Sequence, residues 1–129
     1  MYALIIDDSR AMRKILRQIV EPLGFQILEA GHGQEGLELL NEKRDEVELC
    51  LVDWNMPVMN GLDFVKTVRK QEPDRHLKLM MVTTETEPAQ MARALMAGVD
   101  EFVMKPFTRD ILLEKLRLIG VSMQLPVAN

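Results

Sequence analysis

The sequence predicts a doubly wound α/β domain in which five helices cover both faces of a five-stranded parallel sheet. Three observations predict it. Short apolar runs alternate with segments of helical periodicity five times along the chain. Most of these runs stop at a polar or charged residue. The third run, residues 49–52, is apolar at every position, which is typical of a strand buried on both faces. Right-handed crossovers between parallel strands then place helices on both faces.

The strands are predicted from apolar runs that turn residues bound on either side. They cover residues 3–6, 25–30, 49–52, 77–82 and 101–105. The charged stretch at 42–48 is interpreted as a solvated helix end and loop, because mixed charge runs usually lie on the surface. A polar loop is expected around residues 73–74, before the fourth strand.

The helices are predicted from apolar spacing and from their end signals. The spaced apolar residues are Met12, Ile15, Leu16, Ile19 and Val20, then Leu37 and Leu40, then Phe64, Val65 and Val68, then Met91 and Leu95, and finally Leu112, Leu116 and Ile119. Gly24 suits the end of the first helix, and Pro88 and Gly98 suit the two ends of the fourth. Thr108 is a good N-cap for the fifth helix, which Gly120 closes.

Length and charge narrow the classes of function. The 129 residues fit one domain with its own core, and the net charge of −4 argues against a direct nucleic-acid partner. The single cysteine, Cys50, lies inside an apolar run and suits a reducing compartment. The N-terminal apolar run is too short for a signal peptide or a membrane span. We therefore expect a cytoplasmic protein without membrane insertion.

Every predicted strand except the second ends at a side chain that can do chemistry. These side chains are Asp7 and Asp8, Asp53, Thr83 and Lys105. The carboxyl ends of parallel strands meet at one edge of a sheet, where such folds bind ligands. Clustered carboxylates repel one another, and a hard divalent cation relieves that repulsion. Mg²⁺ fits best, because it takes few carboxylates together with water and phosphate.

The same edge is suited to phosphoryl transfer onto Asp53. A carboxylate can serve as the nucleophile, while a cation and a lysine neutralise the transferred group. Lys105 supplies the fixed positive charge and Thr83 a hydroxyl donor. Each residue alone would be interpreted as a turn or surface residue, but their joint placement favours a site.

Four motifs resemble the receiver domains of two-component response regulators, most closely chemotaxis regulators of the CheY type. They are Asp7-Asp8-Ser9, the stretch 53–61 (Asp-Trp-Asn-Met-Pro-Val-Met-Asn-Gly), Val82-Thr83 and Lys105-Pro106-Phe107. The resemblance covers nearly the whole chain. It implies a flavodoxin-like arrangement with strand order 2-1-3-4-5.

The resemblance also implies a chemistry for the acids. Asp53 would accept a phosphoryl group from a sensor histidine kinase or a histidine phosphotransfer protein. Asp8, Asp53 and the main-chain carbonyl of Asn55 would hold Mg²⁺, with Mn²⁺ able to replace it. Asp7 would contact the metal through water.

The resemblance implies that the remaining positions bind the phosphoryl group, switch the conformation of the protein or tune the lifetime of the phosphorylated state. Thr83 and Lys105 would bind phosphoryl oxygens, and Phe102 would be an aromatic switch that follows Thr83 and changes the face of helix 4, strand 5 and helix 5. The Lys105–Pro106 peptide is expected to be cis.

Three residues near the site are expected to tune the lifetime of the phosphorylated state. Asn55 and Glu85 would position or block water, although Glu85 is equally well interpreted as a solvated loop residue. Thr84 is larger than the residue many family members carry there. Its bulk is expected to narrow access to the phosphoryl group.

We expect residues 1–120 to form the receiver domain and residues 121–129 a short tail, with no output domain. The output would then be another molecule, unknown from the sequence, such as a flagellar switch or a kinase. A phosphorelay intermediate remains an alternative.

Two alternatives come from other classes. A hydrolase with an aspartyl-phosphate intermediate, similar to haloacid-dehalogenase-type phosphatases, would need a second acid two residues after Asp53, where this chain has Asn55. A flavodoxin-like cofactor carrier would meet repulsion between FMN phosphate and the acids after the first strand.

Overall fold

The computed structural model of the protein describes residues 1–71 and 76–121. The predicted loop around residues 73–74 and the tail from residue 122 onward lie outside the described residues. Strands and helices alternate as β1 (Tyr2–Ile6), α1 (Arg10–Val20), β2 (Gln26–Ala30), α2 (Gly33–Glu42), β3 (Val47–Val52), α3 (Gly61–Gln71), β4 (Lys78–Thr83), α4 (Pro88–Ala97), β5 (Glu101–Met104) and α5 (Arg109–Leu118).

The five strands form one parallel sheet in the order β2-β1-β3-β4-β5, which confirms the predicted fold. Ile6 pairs with Val52 at the carboxyl ends of β1 and β3, and Thr83 pairs with Met104 at those of β4 and β5. The order reverses between β1 and β3. This position is the topological switch point, where open α/β sheets bind ligands.

The core has one layer on each face of the sheet. Alternate β3 residues divide between the layers: Cys50 and Val52 pack with α2, α3 and α4, whereas Leu49 and Leu51 pack with α1 and α5. All four side chains are fully buried, as the unbroken apolar run predicts. Burial of each large aliphatic side chain stabilises the fold by about 1.5–3 kcal/mol. The buried strand β3 therefore fixes the position of the residues that follow it at the carboxyl edge of the sheet.

The charged stretch at 42–48 differs from its predicted loop. A short 3₁₀ turn covers Arg44–Glu46, and β3 begins at Val47, two residues earlier than predicted. Val47 is buried in the layer of α2 and α3, with a half-exposed Glu48 between it and Leu49. Val47 and Leu49 face opposite layers because the register with β1 shifts between Tyr2 and Ala3. This bulge-like irregularity at Glu48 extends the strand into what composition alone indicates is surface.

Helix ends follow the predicted signals. Gly24 and Gly98 adopt left-handed conformations after the segments they terminate, and the Thr108 hydroxyl accepts a hydrogen bond from the amide of Ile111. Among the described residues, every helix is too short or too polar to cross a membrane.

Candidate functional site

Three carboxylates converge at the switch point. Oxygens of Asp7, Asp8 and Asp53 all lie within 4.8 Å of one another. Backbone hydrogen bonds continue the sheet past the strand ends: the Asp7 amide donates to Ala30 O at 3.1 Å, and the Asp53 amide donates to Ile6 O at 3.0 Å. The sheet therefore sets the positions from which the buried acids project.

The Asp53 carboxylate is buried and held at both oxygens. Its Oδ1 accepts a hydrogen bond from the Trp54 amide at 2.7 Å, and its Oδ2 lies 3.2 Å from the Lys105 ammonium. Burial raises the pKa of Asp53, and the negative charge of Asp7 adds to the increase, while Lys105 opposes it. The charged form of Asp53 is thus less stable here than in water.

Lys105 joins the acids of two strands. Its Nζ lies 2.8 Å from Asp7 Oδ2, and Asp7 Oδ1 accepts the Ser9 amide at 2.9 Å. Burial disfavours the ammonium, but the hydrogen bond to Asp7 and the charges of Asp53 and Asp7 outweigh it and raise the pKa of Lys105. The lysine therefore stays charged. The Lys105–Pro106 peptide is cis.

The loop after Asp53 depends on a glycine. The Gly61 amide donates to Trp54 O at 2.9 Å, and a Cβ at Gly61 would clash with the carbonyl oxygen of Asp53. Val58 has φ +69, an unusual conformation for a β-branched residue. The start of α3 is therefore packed directly against the backbone of the central acid.

The other predicted residues lie in three environments. Asp8, Asn55 and Thr84 are exposed. Thr83 is fully buried, and its Oγ1 accepts the Glu85 amide at 3.1 Å. Phe102 is buried on β5 beside Met81 of β4. The structure therefore brings Asp7, Asp8, Asp53 and Lys105 together, while the described contacts of the Thr83 hydroxyl are made with the β4–α4 connection.

Sequence reasoning assigned no role at this site to three residues that contribute to it. Ser9 caps α1 by accepting the Met12 amide and also donates its own amide to Asp7, and a serine directly before a helix is a signal that could have found it. The Trp54 amide is a backbone donor that carries no sequence signal. Arg13 donates to the Asp7 carbonyl oxygen at 2.6 Å, a contact that only the folded chain reveals.

The donor set fits a hard divalent cation. Three carboxylates offer oxygen ligands within a small space, and the exposed Asp8 leaves that space open to solvent. Lys105 supplies one positive charge against these three acids. The arrangement therefore has a negative excess that a cation can neutralise.

Fold and site together define a doubly wound domain with an acid and lysine centre at its switch point. The family model described as response regulator receiver domain matches residues 3–117. The chain is 42% identical over 120 residues to chemotaxis protein CheY1 of Helicobacter pylori, covering 92% of this chain and 96% of that protein.

Solved structures agree. The structure of Vibrio cholerae chemotaxis protein CheY4 is 30% identical with a TM-score of 0.83, covering 92% of this chain and 97% of that one. The CheX-CheY-BeF3-Mg complex of Borrelia burgdorferi contains a chain that shares the fold at 23% identity, with a TM-score of 0.86 and coverage of 92% and 88%. The chain therefore belongs to the response regulator receiver domains.

Proposed function

We propose that this protein is a CheY-like phosphoacceptor of a two-component pathway in the cytoplasm, in chemotaxis or a related response, that receives a phosphoryl group from a histidine kinase on Asp53. One observation carries the proposal: the Lys105 ammonium lies 2.8 Å from Asp7 and 3.2 Å from Asp53. A fixed cation beside a buried carboxylate is suited to receive phosphoryl oxygens.

The transfer step needs no other nucleophile. An Asp53 carboxylate oxygen forms a bond to phosphorus while the bond from phosphorus to the donor nitrogen breaks, and the donor imidazole retains that electron pair. Lys105 balances charge on the phosphoryl oxygens, and Thr83 would donate its hydroxyl after leaving the Glu85 amide. The protein is thus a signalling phosphoacceptor rather than an enzyme acting on other substrates, and its only catalysis is its own transfer and dephosphorylation.

A Mg²⁺ ion would be held by Asp8, Asp53 and the main-chain carbonyl of Asn55, with Asp7 acting through water. When bound, it supplies charge neutralisation for the phosphoryl oxygens. The acid cluster supports this assignment, because its three carboxylates exceed the charge that Lys105 can balance.

Small phosphodonors test the proposal directly. Incubation with acetyl phosphate and Mg²⁺, followed by mass spectrometry, should add one phosphoryl group to Asp53. Asp53→Asn should take up none, and chelation of Mg²⁺ should slow labelling strongly. Labelling of the Asn variant, or no labelling of the wild type by any small phosphodonor, would overturn the proposal.

The output face is assigned to α4, β5 and α5. A groove of about 280 Å³ lies there, with Glu101 and Lys115 3.6 Å apart. Its apolar lining comes from Met91, Phe102, Met104, Pro106, Phe107 and Ile111. Movement of Thr83 toward a phosphoryl group would give space to Phe102 and reshape this groove for a downstream protein.

Nuclear magnetic resonance can follow that reshaping. Beryllofluoride with Mg²⁺, a mimic of the phosphoryl group, should shift backbone amides along α4, β5 and α5 in the wild type. The shifts should vanish in Asp53→Asn. Shifts confined to the acid cluster would contradict the assignment of this face.

Partner affinity separates a switch from a phosphorelay intermediate. A switch should bind its target more tightly with beryllofluoride present, whereas a relay carrier need not. The hydrolase alternative is disfavoured because the exposed Asn55 amide cannot serve as general acid or base. Multiple-turnover release of phosphate from simple phosphomonoesters would restore that alternative.

The exposed Thr84 is expected to slow phosphoryl chemistry by its bulk. Thr84→Ala should accelerate labelling by acetyl phosphate or loss of the label severalfold, as measured by the time course of the phosphorylated mass. Unchanged rates would remove this role.

A further inference from the structure

Arg13 of α1 binds the backbone of the acid cluster rather than an acid side chain of it. Its Nη1 donates to the carbonyl oxygen of Asp7 at 2.6 Å. That carbonyl belongs to the peptide unit that joins Asp7 to Asp8. The arginine therefore holds the peptide plane from which the exposed Asp8 side chain departs.

The arginine is itself fixed by a second strand. Arg13 Nε donates to Glu29 Oε1 of β2 at 3.1 Å, and the other Glu29 oxygen accepts Arg17 Nε at 2.9 Å. The Arg13 side chain is 17% exposed, against 39% for Arg17. A Cβ built at Gly31 would lie 3.8 Å from Arg13 Nη1, so the guanidinium lies close to the turn after β2 while it binds the turn after β1.

Asp8 lacks comparable support of its own. Within residues 1–71 and 76–121, its carboxylate accepts no hydrogen bond and forms no ion pair. Asp7 and Asp53 differ, because both are held by backbone amides and by Lys105. The direction of the Asp8 carboxylate therefore depends on the local backbone, and Arg13 is the side chain that anchors that backbone.

We propose that Arg13 is a positioning residue for divalent cation binding, acting through the Asp7–Asp8 peptide. This inference rests on the proposed metal site. A charged hydrogen bond that fixes the ligand-bearing backbone reduces the ordering cost of binding. Residues that orient metal ligands typically change affinity by 10–100-fold when removed.

Arg17 supplies a matched control. It shares Glu29 with Arg13 and also pairs with Glu21 at 3.1 Å. Its described contacts do not include the turn after β1. Arg17→Ala therefore breaks the same ion-pair network without releasing the Asp7 carbonyl.

The test is a Mg²⁺ titration followed by Trp54 emission and by calorimetry, with urea unfolding measured in parallel. Arg13→Ala should weaken Mg²⁺ binding about 10-fold, and Arg17→Ala should stay within about twofold of the wild type. Arg13→Lys should recover part of the loss, because an ammonium can reach the carbonyl but cannot also bridge to Glu29.

The outcomes separate the two proposals. If the wild type binds no Mg²⁺ by calorimetry, the proposed metal site fails. If the wild type binds and Arg13→Ala binds equally well, or if both alanine variants lose affinity equally, the role of Arg13 is overturned. If Arg13→Ala does not fold, the Mg²⁺ affinity of Arg13→Lys is compared with that of Arg17→Ala. Equal affinities in these two variants overturn the role of Arg13.

Discussion

Two largely buried ion pairs lie at opposite ends of the parallel strands, and different groups hold them. Arg69 of α3 pairs with Asp100, just before β5, at 2.9 Å. Lys105, just after β5, pairs with both Asp7 and Asp53. The first pair joins an arginine to an acid that also accepts a backbone amide, whereas the second places one ammonium among three carboxylates.

Backbone groups also form hydrogen bonds with both members of the Arg69–Asp100 pair. Arg69 Nε donates to Gly98 O at 3.0 Å, and Asp100 Oδ2 also accepts the Leu79 amide at 2.8 Å. Gly98 has φ +118, and any side chain there would collide with Arg69. Hydrogen-bonded in this way, the pair connects α3, the end of α4 and β4, and its role is structural.

The Lys105 cluster is left with excess negative charge. Burial and the neighbouring Asp7 raise the pKa of Asp53 even though Lys105 lies beside it. The comparison teaches that the Arg69 pair, held by backbone groups, connects elements of the fold. In the function proposed above, the acid-rich cluster would instead give up stability in exchange for the capacity to bind a cation and a phosphoryl group.

The largest expected effect is on chemistry. Asp53→Asn should abolish phosphoryl labelling while leaving the free energy of unfolding equal or higher at pH 7. The sign follows because the raised pKa means that the ionised Asp53 is disfavoured in the folded state, and the variant removes that charge. Urea unfolding at pH 7 without Mg²⁺ measures it. A clear loss of stability would mean that Asp53 is a structural acid like Asp100.

The largest expected effect on stability is at the Arg69–Asp100 pair. Arg69→Met should lower the free energy of unfolding by about 3 kcal/mol, because it leaves Asp100 partly buried without its cation. Urea titration measures the loss. The loss relative to the wild type should be the same with and without Mg²⁺, because Mg²⁺ binding at the acid cluster should stabilise both proteins equally. A difference that shrinks when Mg²⁺ is added would contradict the separation of the two pairs.

Removal of the lysine should have a smaller and Mg²⁺-sensitive effect. Lys105→Met leaves three acids to repel one another, and we expect a loss of about 1–2 kcal/mol in the absence of divalent ions. Added Mg²⁺ should recover more stability in this variant than in the wild type. Equal recovery in both proteins would argue against a shared site for the lysine and the metal.

The smallest expected effect is on the alkylation rate of the Cys50 thiol. Cys50 lies in β3, inside the sheet, so its alkylation reports opening of the sheet. Burial raises its pKa to about 12, so the reactive thiolate is scarce in the folded protein at pH 8.5, whereas an unfolded thiol ionises near that pH. Alkylation by iodoacetamide should therefore follow unfolding. It should be faster in Arg69→Met and no faster than the wild type in Asp53→Asn. Rapid alkylation of the folded wild type would contradict this.

The fold could be predicted almost completely because its signals are local. The alternation of strands and helices and the fully buried β3 follow from apolar patterning, although the strand order came from the family resemblance. Val47 was missed because its burial is decided by pairing beyond a charged turn. The convergence of Asp7, Asp8, Asp53 and Lys105 was predicted, because parallel strands end at one edge.

The contacts that hold the acid cluster in place could not be predicted in the same way. The Arg13 contact with the Asp7 carbonyl joins a helix to a strand end, and residue type alone does not indicate which oxygen an arginine reaches. The roles of Asp53, Asn55, Thr83, Thr84, Glu85 and Phe102 remain predictions.

The hydrogen bond from the Glu85 amide to the Thr83 hydroxyl has a consequence for background signalling. If Thr83 turns toward a phosphoryl group, this bond is given up, at a cost of about 1 kcal/mol. Such a cost makes spontaneous activation about fivefold rarer. The connection between β4 and α4 would thereby lower the fraction of unphosphorylated protein in the active conformation. Activation would then depend on the proposed donor kinase rather than on thermal fluctuation.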